Sequence, residues 1–112
     1  MSTNFYGIVK GNGHKIHIGK RANGWAFMWH AYNKRELSFF PHRFRIVTVE
    51  CWNQALDMIE YVEDEYGRQY SIDDFFYDVA LPWNEGSIHT QGNSHTDTYL
   101  GNVYSFTYGD WC

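Results

Sequence analysis

The residues best equipped for chemistry crowd one short stretch: His17, Lys20, Arg21, Trp25 and His30 fall within fourteen positions, interrupted by Gly19 and Gly24. Lysine and arginine neutralise phosphate, glycine lets backbone amides approach a ligand, tryptophan stacks on a base and imidazole reads polar edges. That set suits a nucleotide, and Arg68 supplies a further cation for its phosphates. The same residues also have ordinary uses, with Trp25 in a core, Lys20 and Arg21 solvating a hairpin tip and the histidines capping backbone groups. No Walker or dinucleotide fingerprint accompanies them.

A second group is the acidic run Glu60, Glu63, Asp64 and Glu65 ahead of Gly67-Arg68. Carboxylates at this density hold Mg²⁺ or Ca²⁺ or clamp an arginine of a partner protein. Their spacing is not that of an EF-hand loop, and neighbouring side chains in a turn diverge, so a partner-binding surface or a solvated turn is the better reading. A third group is the six histidines, His14, His17, His30, His42, His89 and His95. His17 and His30 on adjacent strands, joined by Asp64, would form the metal site of a nuclease or phosphodiesterase. No His-x-His or His-Glu-x-x-His cluster supports one, neither cysteine has a histidine near it in sequence, and no Gly-x-Ser-x-Gly elbow occurs. The expectation is therefore a binding protein, with no catalytic residues, metal or cofactor.

These residues sit in a chain of 112 residues, 44% hydrophobic and 20% aromatic, with five Trp, nine Tyr and eight Phe. That is too apolar for a disordered segment and the right length for one domain spanning 1–112. The longest apolar runs, such as Trp25 to Trp29, are far shorter than the roughly 18 residues that span a bilayer. The first residues, Met1 to Gly7, lack the basic start and apolar core of a secretory signal, so a cytoplasmic protein without membrane contact is expected. Cys51 and Cys112 make no Cys-x-x-Cys pair; Cys51 reads as a small apolar filler in a helix.

Charge is segregated along the chain. Residues 1–48 carry eight basic side chains against Glu36, a balance of +7, and residues 49–112 carry Arg68 against twelve carboxylates, a balance of −11, together −4. Either the basic half binds anions or the two halves neutralise each other across the folded surface. Lys34, Arg35, Arg43 and Arg45 beside Phe39, Phe40 and Phe44 form a basic aromatic patch, but a pI of about 5.8 argues against general nucleic-acid binding.

Hydrophobic periodicity predicts the elements that position these groups. Strands are expected at 5–10 and 15–18, joined through Gly11-Asn12-Gly13, and at 25–32, where Trp25, Phe27 and Trp29 share a face. Phe44 and Ile46 alternate with Arg43 and Arg45 in a further half-buried strand. Thr48 reads as the N-cap of the main helix, about 49–61, with Val49, Trp52, Leu56 and Ile59 on its apolar stripe. Ser71 and Asp74 open a shorter helix, about 71–81, that Pro82 ends. Residues 84–102 read as a long loop and 103–108 as a final strand. The fold expected is α+β, a mostly antiparallel sheet packed against one main helix, with rings to spare for a pocket or an oligomer interface.

His17-Ile18-Gly19-Lys20, then Gly24-Trp25-x-Phe27-x-x-His30, Asp64-Glu65-Tyr66-Gly67-Arg68 with Ser71 and Phe75, and Tyr104-x-Phe106 with Asp110-Trp111 occur in this order across residues 15–111. The arrangement resembles a family of small bacteriophage proteins. Many of those carry a Cys-x-x-Cys pair ahead of the first motif, whereas Tyr6 to His14 contains no cysteine, so no zinc ribbon is expected here. The resemblance implies an accessory protein made in the cytoplasm of an infected bacterium, where such proteins antagonise immunity. Joined to the first residue group, it points to a sponge that sequesters a nucleotide-derived immune signal without cleaving it. The rival from the acidic group is a protein inhibitor of a host defence enzyme.

Overall fold

The computed structural model describes residues 2–11, 13–22, 26–32, 45–82 and 94–108. Trp25, the 33–44 patch, His89 and Cys112 lie outside the described residues. Within them the chain is a mixed α and β structure dominated by one seven-stranded sheet, so a single main helix is not its organising element. The strands are β1 (Ser2–Val9), β2 (Lys15–Ala22), β3 (Met28–Ala31), β4 (Ile59–Asp64), β5 (Gln69–Tyr70), β6 (Ser94–Tyr99) and β7 (Asn102–Tyr108), in spatial order β5-β4-β1-β2-β3-β7-β6. Every pairing is antiparallel except β3 with β7, which is parallel.

The expected helix over 49–61 is cut in two. α1 runs Val49–Ala55, a 3-10 turn follows at Leu56–Met58, and Ile59 begins β4. Thr48 caps α1 as the sequence indicates, its Oγ1 accepting from Cys51 N at 3.0 Å. Beyond it the second edge of β1 needs a partner, and the β-branched and aromatic Ile59, Tyr61 and Val62 satisfy those backbone groups as a strand. The shorter helix also starts as expected, Ser71 Oγ accepting from Asp74 N at 3.1 Å, but Asp74–Ala80 winds as a π-helix, with Leu81 N bonded to Phe76 O.

The loop expected over 84–102 is overturned at its end, because residues 94–99 pair with β7 along their whole length. Leu100 and Gly101 close that hairpin with φ of 51° and 84°, the left-handed pair that a two-residue turn requires. Turn chemistry hid this: Leu-Gly is not the Asn-Gly that announces such a hairpin. Of the strand expected through 43–46, residues 43 and 44 lie outside the described residues, and Ile46 forms one bridge with Tyr32, with Ile46 inward and Arg45 exposed.

Rings fill the core. Trp29 stacks on Phe106 with centroids 6.0 Å apart and meets Phe27 edge-on at 4.8 Å, while Phe75 and Phe76 reach it from the π-helix and Trp52 from α1. Each such buried side chain contributes about 1.5–3 kcal/mol. Trp52 Nε1 donates to His30 O at 2.9 Å, which ties α1 to β3. Among the described residues no helix is long and apolar enough to cross a membrane.

Candidate functional site

The Asp64-Glu65-Tyr66-Gly67-Arg68 motif is the turn between β4 and β5. Gly67 N bonds Asp64 O at 3.0 Å, and Gly67 has φ of +88°, which only glycine adopts freely. Asp64 Oδ1 accepts from Tyr66 N and Arg68 N at 2.9 and 3.0 Å, and Oδ2 accepts from the Tyr70 hydroxyl at 2.9 Å. Asp64 is only 6% exposed. Burial alone pushes its carboxyl upward, but these donors and the Arg68 charge outweigh burial and hold it below the usual value. Burial, the same hydrogen bond and the Asp64 charge push the Tyr70 phenol upward, so it stays a donor.

Beside this turn lies a cleft of about 380 Å³ lined by Thr3, Phe5, Arg21, Asp64, Tyr66, Arg68 and Tyr70. Arg21 reaches it from β2 and is anchored by Nη1 donating to Val79 O and Pro82 O at 2.9 and 3.1 Å. With the Tyr104 hydroxyl donating to Leu81 O, these bonds satisfy carbonyls that the π-helix end leaves open. Arg68 is exposed at the mouth, and Tyr66 stands 68% exposed beside it. Two guanidiniums against one internally satisfied carboxylate leave the cleft net positive.

The residues grouped by sequence are thereby divided between the two faces of the sheet. Pairing in β1–β2 shifts between Phe5 and Tyr6, whose partners are Gly19 and His17, so Ile18 is an extra residue in β2. Strict alternation would put His17 with Arg21 and turn Lys20 away. The bulge instead places Lys20, opposite Asn4, on the face of His17, opposite Tyr6, and sends Arg21, opposite Thr3, to the cleft. Gly19, next to the extra residue, lets β3 pack close: a Cβ there would lie 2.3 Å from Met28 O and 2.6 Å from the Phe27 ring.

On the other face the imidazoles of His17 and His30 meet edge to face at 5.3 Å, with Tyr6 beyond His17 and Tyr32 stacked on His30 at 4.1 Å. His17 Nε2 donates to Asn4 Oδ1 at 3.0 Å, an orientation fixed by Asn4 Nδ2 donating to Glu65 Oε1. His30 Nδ1 donates to Ala31 O at 3.0 Å, and His30 is buried. Asp64, on the cleft side, does not join them, and among the described residues no group of three or more His, Cys, Asp or Glu could hold a metal ion.

The acidic run does not converge either. Glu63 pairs with Lys15 at 3.7 Å, Asp64 turns inward, Glu65 Oε1 accepts from Asn4 N at 2.8 Å, and Glu60 is exposed. Sequence reasoning missed Thr3, Phe5, Tyr66 and Tyr70 as cleft walls. The available signal was the Asp64 to Gly67 spacing of a tight hairpin turn, which brings Tyr66, Arg68 and Tyr70 to one end of the sheet. Comparison with protein-family models, curated proteins and solved structures finds no match for this chain.

Proposed function

We propose that this chain is a non-catalytic binding protein whose cleft captures a nucleotide-derived anion. In the setting implied by its phage-like motifs, it lowers the free concentration of a bacterial immune signal. The observation that carries the reading is the convergence of Arg21 and Arg68 on one 380 Å³ cleft with Phe5, Tyr66 and Tyr70 around it. That volume lies within the range of small-molecule sites, the guanidiniums match phosphate geometry, and the exposed Tyr66 ring offers a face to a base. Binding is favoured over turnover because both oxygens of Asp64, the cleft carboxylate, are already engaged by the chain's own donors.

The test is native mass spectrometry with cyclic dinucleotides and cyclic ADP-ribose isomers, on the wild type, Arg68→Ala and Lys20→Ala. A stoichiometric mass gain, returned intact on denaturation, is expected for one of them. Losing the charged hydrogen bonds of Arg68 weakens it about tenfold or more, whereas Lys20→Ala on the opposite face leaves it unchanged. Binding that survives Arg68→Ala, or a panel ignored altogether, overturns the assignment; consumption of an added nucleotide overturns capture.

One observation favours a second reading, a protein inhibitor. Tyr77 stands 60% exposed on the π-helix segment among the exposed Asp73, Asp74 and Asp78, an aromatic anchor within an acidic rim. This version predicts salt-sensitive binding to a basic host protein, lost in Tyr77→Ala and indifferent to nucleotides.

A further inference from the structure

The sheet ends on β6, whose one strand neighbour among the described residues is β7. Edge strands are normally blunted by lysine, proline or a bulge. β6, Ser-His-Thr-Asp-Thr-Tyr, has none of these: its register with β7 is unbroken, and the one guard it carries is an inward charge, Asp97, whose Oδ2 is already engaged by Val49 N at 3.0 Å. The two-residue turn makes Tyr99 and Asn102 its closing hydrogen-bonded pair, so Asp97 and His95 also bond towards β7. The backbone groups of Thr96 and Thr98 consequently point outward, and both side chains are exposed. A groove of about 360 Å³ runs beside them, lined in part by Arg45, His95, Thr96 and Asp97.

We infer that β6 pairs antiparallel with β6 of a second copy of this chain, about a two-fold axis at Thr96. Side-chain parity selects the register. Residues facing each other across an antiparallel pair share a face, so the two-fold falls on a residue rather than between residues. Centring on Asp97 would oppose two carboxylates. Centring on Thr96 opposes two threonines as a hydrogen-bonded pair, with each N–H donating to the other copy's carbonyl. It also sets His95 against Asp97 of the second copy in the close, non-hydrogen-bonded positions, twice. His95 Nε2 donates to Val47 O at 2.6 Å, so Nδ1 donates to the Asp97 oxygen not engaged by Val49 only when the ring is an imidazolium, and the pair strengthens the interface in that form. The result is a continuous fourteen-stranded sheet with the two clefts at its far ends.

The experiment is light scattering after size exclusion on the full chain at roughly 100 μM, well above the micromolar range of weak protein interfaces. The wild type is expected at dimer mass. Thr96→Lys and Thr96→Glu, at an exposed position that leaves the fold intact by circular dichroism, each raise the dimer Kd about tenfold or more by opposing like charges at the axis. Their equimolar mixture restores the dimer, a rescue that only a two-fold at this residue produces. Thr98→Lys with Thr98→Glu, away from the axis, serves as the comparison and shows the weaker response. A wild type that stays monomeric, Thr96 variants whose dimer Kd over a dilution series equals that of the wild type, or a mixture without rescue overturns the proposal.

Discussion

Replacing Asp64 separates the work of its shape from that of its charge. Asp64→Ala removes the acceptor of Tyr66 N, Arg68 N and the Tyr70 hydroxyl together. Hydrogen bonds to a charged group contribute about 1.5–3 kcal/mol each, and the two turn amides recover water on the exposed side, so a loss of about 3 kcal/mol is expected. Asp64→Asn keeps an oxygen where both amides donate and sets an amide against Tyr70, whose hydroxyl turns to accept; the expected loss is about 1 kcal/mol. The charge also makes stability depend on pH. The folded carboxyl titrates below its unfolded value, so its contribution is complete above about pH 4 and fades as pH falls through the folded pKa. Urea unfolding followed by tryptophan fluorescence, at neutral pH and at about pH 3, reads both effects. The advantage of the wild type over Asp64→Asn should narrow in acid. Equal losses in the two variants, or a wild-type advantage unchanged in acid, would refute the account of this turn.

Two further outcomes follow from the backbone. Gly19→Ala forces a methyl into Met28 O and the Phe27 ring, and the separation of β2 from β3 that relieves it costs about 3 kcal/mol, or about 10 °C of Tm by calorimetry; a melt within a degree or two of wild type contradicts the close packing of β3 on β2. Leu100→Asn places a residue tolerant of positive φ in the β6–β7 turn and should stabilise by about 1 kcal/mol, since Leu100 holds φ of 51° while 77% exposed. A lower Tm in that variant would show that the leucine itself packs on something.

Much of the framework is legible in the chain. Thr48 and Ser71 announce two helix starts, alternation around Tyr6, Ile16 and Phe106 announces strands, and the Asp64 to Gly67 spacing encodes a turn whose carboxylate and glycine serve its own geometry. These signals are local: a cap or a turn needs only the few residues that form it. Local pattern failed where a distant partner decided. Ile59 fits the apolar stripe of a helix, yet it becomes a strand because β1, about fifty residues earlier, offers unpaired backbone groups. Residues 94–99 read as polar loop until β7 pairs with them.

The site shows the same division at finer scale. The sequence determines that cations, rings and imidazoles are present near one another in β2 and in the β4–β5 turn. Which of them meet was decided by one extra residue. The Ile18 bulge reverses the phase of β2 beyond it, sending Arg21 to the cleft with Arg68 and leaving Lys20 with His17 on the opposite face. A bulge has no composition signature of its own here. Beside it Phe27 and the Met28 carbonyl occupy the space above Gly19, and that contact forms only when β3 is laid against β2.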